Sequence, residues 1–219
     1  MVINKFKKFK DKIKFVVADY KKKIDFNNHT GGESPVEQHQ RNHLMEGIKN
    51  ALPDDFIILS DSDEIPDFTK IKNINLIKRF AAFSQKMFMY KLNLQNISES
   101  NWIGSKITRK KFITSMQDLR NLKFKKYPLW RIDKYNQQII NGGWHFSFLQ
   151  TPQQILTKIK SFSHGEFNSK NINEKKIEEK IIQNKDIFGR NTELKKISIN
   201  NDYPEYIIQN KDKLSNWII

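Results

Sequence analysis

The chain has no cysteine. That excludes a disulfide framework, a thiolate metal site and a cysteine nucleophile. Glycine and proline are sparse, at 8 and 6 residues in 219, which excludes collagen-like and Gly/Pro-rich low-complexity classes. No run approaches the ~20 apolar residues that a bilayer-spanning helix needs. The opening MVINKFKKFKDKIKF is basic but lacks the continuous apolar stretch of a signal peptide. With no signal peptide or membrane anchor visible, the reading is cytoplasmic or an unassigned compartment. Arginine is also scarce: Arg41, Arg79, Arg109, Arg120, Arg131 and Arg190 are all there is. The net charge of +15 therefore rests on lysine, spread along the whole chain. Nucleic-acid readout leans on the bidentate guanidinium fork, so no nucleic-acid partner is expected.

What is present is core material. The sequence is 37% hydrophobic with 16 phenylalanines, which suits one folded domain over residues 1–219. Ile3, Phe6, Phe9 and Ile13 recur at spacings of three and four, which predicts a basic amphipathic helix over residues 1–12. Residues 14–19 read as a buried strand. Ser34-Pro35 followed by Glu37 reads as a capping box opening a helix that runs toward Pro53. Residues 54–60 read as a strand, 71–80 as a helix, and 83–94 and 138–149 as strands. Thr151-Pro152 opens another helix, and the portion from 168 to 219 reads as helical. Strand and helix alternate in the first ~80 residues, which predicts an α/β fold with a mostly parallel central sheet and flanking helices.

Two motifs carry chemistry. The apolar run Phe56-Ile57-Ile58-Leu59 stops at Asp61-Ser62-Asp63-Glu64. Three carboxylates in four residues repel one another unless a cation sits among them. Such a loop, at the carboxyl end of a strand, is where open α/β sheets bind ligands. Oxygen ligands suit Mg²⁺ or Mn²⁺, and such an ion also takes phosphate oxygens. Taken alone, the same acids also read as a solvated turn. The second motif is Gly142-Gly143-Trp144-His145-Phe146-Ser147. Its paired glycines permit close backbone approach to a ligand, or a bulge. His145 could supply a nitrogen to the same metal, or simply pack beside Trp144.

The order of these motifs resembles glycosyltransferase family 17. It is carried by ESPVEQHQRNHLMEGI, DDFIILSDSDEIP, MFMYKLNLQN, NWIGSKIT, NGGWHFSFLQTPQQILTKIKSFSHGEFN and YPEYIIQNKDKL. The resemblance implies a GT-A-like nucleotide-diphospho-sugar transferase fold. It implies inverting transfer of a sugar, GlcNAc by analogy, from a UDP-sugar to a glycan acceptor, with Mn²⁺ or Mg²⁺ as cofactor. Asp61, Asp63 and His145 are then the implied metal ligands. Gln38, His39, Arg41, Asp61, Gly142, Gly143 and Trp144 are the implied donor-side residues. An inverting transferase needs a base for the acceptor hydroxyl, and Glu64, Asp133 and Glu166 are the unranked candidates. Members of the family usually carry a further strand–helix–strand segment ahead of KIKFVVADY, so the first strands of the sheet are expected to be missing here.

Overall fold

A computed structural model describes residues 2–19, 35–71, 76, 78–99, 101–124, 130, 137–161 and 172–219. Two compact units emerge: Met1–Leu59 with Ile107–Lys123, and Ser60–Lys106 with Phe124–Ile219.

In the smaller unit, Val2–Lys12 is a 3₁₀ run interrupted at Phe6 (φ −116°, ψ 24°), not a regular amphipathic α-helix. Phe6, Phe9 and Ile13 lie exposed. Among the described residues, 14–19 join no sheet, which corrects the strand expected there. A strand needs a partner's ladder, and here side chain meets main chain instead: the Lys14 ammonium donates to the Glu46 carbonyl, and the Asp19 carbonyl lies 3.2 Å from His39 Nε2. Helix α1 spans Pro35–His43 and tightens into a 3₁₀ turn at Leu44–Ile48. Glu37 lies in its first turn and Arg41 and His43 in its last, as the helix dipole favours. The expected Ser34 cap lies outside the described residues. Strand β1 is Phe56–Leu59. Helix α3, Met116–Asn121, is capped by the Ser115 hydroxyl, which accepts from the Asp118 amide.

The larger unit is built on a mixed sheet. Its strands are β2 (Glu64–Pro66), β3 (Phe80–Met89), β4 (Leu94–Asn96), most of β5 (Trp102–Arg109), β6 (Gln137–Ser147) and β7 (Leu194–Lys196). β3 and β6 run parallel. The β2–β6, β3–β4 and β4–β7 pairs are antiparallel. The expected mostly parallel sheet is thereby corrected. Tyr90 adopts φ 63°, and the chain turns back at once into β4 instead of crossing over through a helix. Helix α2 is Phe68–Ile71, ahead of the helix expected over 71–80, and Phe80 already begins β3. The portion read as helical holds α5 (Glu174–Ile182), α6 (Glu205–Gln209) and a 3₁₀ segment at Asp212–Trp217, and also β7.

Alternation along β3 and β6 sorts the cores onto two faces. On one face Met87 and Met89 pack with Tyr90, Phe148, Ile155 and Ile159 of α4 (Pro152–Ser161), and Ile177 of α5. On the other, Phe88 and Phe146 stack at 5.2 Å and join Leu92, Tyr203 and Ile207. Among the described residues no helix is long and apolar enough to cross a membrane.

Candidate functional site

The acidic stretch is a tight turn. The Glu64 amide donates to the Asp61 carbonyl at 3.1 Å, closing a four-residue reversal that leads directly into β2. β2 then pairs with β6, setting Glu64 opposite His145, Ile65 opposite Trp144 and Pro66 opposite Gly143. The Phe146 amide donates to the Asp63 carbonyl at 2.8 Å and extends the pairing into the turn. Two motifs 82 residues apart (145 − 63) are therefore stitched together by main-chain hydrogen bonds.

That stitching brings Asp63 Oδ2 to 3.6 Å from His145 Nε2. Burial pushes the Asp63 carboxyl up in pKa. The contact with the His145 ring and the charges of His145 and Lys158 push it down further, and the net is a carboxyl held below its ordinary value. His145 is 7% exposed, its ring lies 4.8 Å from that of Trp102, and its Nδ1 has no hydrogen-bond partner among the described residues. Two donors of one octahedral ion, each about 2.1 Å from it, lie about 3 Å apart. The Asp63–His145 spacing is close to that and longer than a hydrogen bond. A carboxylate oxygen suits Mg²⁺ or Mn²⁺, and an imidazole nitrogen is a ligand for first-row divalent ions. Among the described residues no group of three or more such side chains converges. An ion here would complete its shell with water and ligand oxygens, as hard cations at phosphate sites do.

Glu64 faces inward. It is 7% exposed, and its carboxylate accepts from the Trp102 indole at 2.8 Å and the Ser105 hydroxyl at 3.2 Å. Ser105 also meets the Ser60 hydroxyl at 2.6 Å and accepts from the Gln85 amide at 3.1 Å. Gly104 makes room for this cluster: a Cβ there would stand 2.0 Å from Gln85 Oε1 and 2.9 Å from Glu64. A carboxylate so held braces the turn that carries Asp61 and Asp63.

The glycine pair makes a β-bulge. Ser84 aligns with Asn141 and Lys86 with Trp144, so Gln85 faces two residues, Gly142 and Gly143. Both have positive φ, 151° and 125°, and a Cβ at 143 would meet the Ile65 carbonyl oxygen at 2.7 Å. Consecutive residues of a strand point to opposite faces. Trp144 therefore lies across the sheet from His145, with its indole N–H on the Asp202 carbonyl at 2.8 Å.

Gln38, His39 and Arg41 lie on α1 in the smaller unit. His39 Nε2 is 3.2 Å from the Asp19 carbonyl, and Arg41 donates to Gln117 Oε1 at 2.5 Å. Asp133 and Glu166 fall outside the described residues. Sequence reading passed over Trp102, Ser105, Gln85 and Lys158. Trp102 sits in the NWIGS stretch that carries the resemblance, and that stretch was the available signal.

Searches of curated proteins and of solved structures each found no match. The family model described as Glycosyltransferase family 17 matches residues 2–197. The match spans most of the chain, including the acidic turn, the glycine bulge and His145, and the chain belongs to glycosyltransferase family 17.

Proposed function

We propose that this glycosyltransferase is metal-dependent and inverting, and moves a sugar from a UDP-sugar, UDP-GlcNAc by family analogy, to a glycan acceptor. The observation that carries the reading is the convergence of Asp63 and His145 at 3.6 Å. Asp63 and His145, with Asp61 from the same turn, would hold Mn²⁺ or Mg²⁺, and the donor diphosphate would fill the remaining positions. Bound there, the ion supplies Lewis-acid stabilisation of the departing diphosphate. Lys158, whose charge reaches Asp63, adds positive potential on that side. A GT-A-like arrangement is supported by the acidic turn that follows β1 and by the parallel β3–β6 pair.

Glu64 takes a positioning role in this reading, because Trp102 and Ser105 already hold its carboxylate. The base that accepts the acceptor hydroxyl proton is then Asp133 or Glu166. Asp133→Asn and Glu166→Gln separate them: the base variant loses turnover and keeps donor affinity.

The test is calorimetric titration of UDP and UDP-GlcNAc, with and without Mn²⁺, into wild type and Asp63→Ala. Metal-dependent binding that the substitution abolishes is expected. Binding indifferent to both metal and Asp63 overturns the metal assignment. No binding by a folded chain overturns the donor assignment.

A further inference from the structure

Across the sheet from the Asp63–His145 pair, the larger unit contains an open groove of about 1000 Å³. Its wall is Trp144, half-buried, with the indole edge pinned to the Asp202 carbonyl. The groove's charges are Lys70 and Lys86 against Asp67, Asp202 and Glu205. The lining thus carries two cations and three anions, on a chain whose net charge is +15. Lys86 is further offset by Asp202 at 3.4 Å. This is poor chemistry for a diphosphate. The remaining polar lining is neutral: the amides of Asn101, Asn141 and Asn201, each offering donors and an acceptor, and the hydroxyls of Thr69 and Ser84. Tyr203, 5% exposed, lines the same groove. An aromatic wall with neutral amides and hydroxyls suits a ligand that has apolar ring faces and many hydroxyls.

We propose that this groove binds a neutral oligosaccharide, as a site separate from the Asp63–His145 pair. It would hold a glycan away from the reacting atoms. The assignment rests on the transferase reading only for its choice of probes.

Chitotriose, mannotriose and UDP are titrated by calorimetry, without metal, into the full chain. At least one trisaccharide is expected to bind saturably, with UDP failing to compete. Asn101 and Asn141 are both exposed, so the double variant Asn101→Ala/Asn141→Ala leaves the core intact. It should weaken trisaccharide binding about tenfold, the loss of one or two hydrogen bonds. Asp63→Ala should leave it unchanged. The proposal fails if neither trisaccharide binds, if the double variant binds like wild type, or if Asp63→Ala abolishes binding. Failure here with metal-dependent UDP binding intact leaves the transferase reading standing. A bound trisaccharide with no UDP binding does the reverse.

Discussion

The Trp102 indole N–H donates to Glu64 Oε1 at 2.8 Å, joining β5 to the first residue after the Asp61–Asp63 turn. Replacing Trp102 with Phe strips a buried carboxylate of a donor and should cost roughly 1–3 kcal/mol. Glu64→Gln keeps the shape and an acceptor oxygen, so it should cost less. Urea denaturation of both variants reads the difference, and an unchanged midpoint for Trp102→Phe would contradict the bracing role.

Glycines at 143 and 189 both have positive φ, but their surroundings differ. A Cβ at 143 meets the Ile65 carbonyl oxygen at 2.7 Å, whereas one at 189 meets nothing within 4 Å. Gly189→Ala should therefore cost only the backbone penalty, about 1–2 kcal/mol. Gly143→Ala adds a clash to that strain and should cost roughly 3 kcal/mol or more. Thermal melts of the two variants side by side check the order, and equal losses would refute it.

Asp54 is exposed at the surface of the smaller unit, with Lys111 at 2.6 Å and Arg109 at 3.4 Å. The hydrogen bond from Lys111 and the charges of both cations hold its carboxyl below the ordinary value. A depressed folded-state pKa contributes stability above the unfolded value, near 3.8, and that contribution is lost as pH falls through the lower folded value. Solvent screening keeps the effect small. A carboxyl-detected NMR titration should place Asp54 below 3.8 and show it rising in Lys111→Ala. A normal value in wild type would sink the ion pair.

Removing the Tyr203 hydroxyl should stabilise the free protein. Among the described residues the group is buried without a partner, so Tyr203→Phe relieves a desolvation cost of about 1 kcal/mol while leaving the ring packing on Phe88. Differential scanning calorimetry should show a higher Tm. A lower Tm would mean that the hydroxyl has a partner.

The sequence was most legible where structure is local. Thr151 does cap α4: its hydroxyl accepts from the Gln154 amide at 3.3 Å, and Gln154 returns the bond at 3.0 Å. The strand expected over 138–149, observed as Gln137–Ser147, and the glycine bulge were likewise written in neighbouring residues. Sheet direction was not, because it depends on pairing across long separations, which a period-two pattern does not encode. Glu64 shows the same limit. Its run of acids reads as solvent-facing, but its burial is set by Trp102 and Ser105, about forty residues later. The neighbours Trp144 and His145 looked like one site in the sequence. Strand alternation sends them to opposite faces, and the groove was hidden with them.

The bulge at Gly142–Gly143 also bears on how this chain tolerates changes of length. Losing a single codon from most of β6 would turn every later side chain over and exchange the two faces of the sheet. Losing one of these two glycines would restore a regular ladder, keeping Ser84 with Asn141 and Lys86 with Trp144. The strand thus carries a spare residue, and it sits where shortening by one leaves His145 on the side of Asp63.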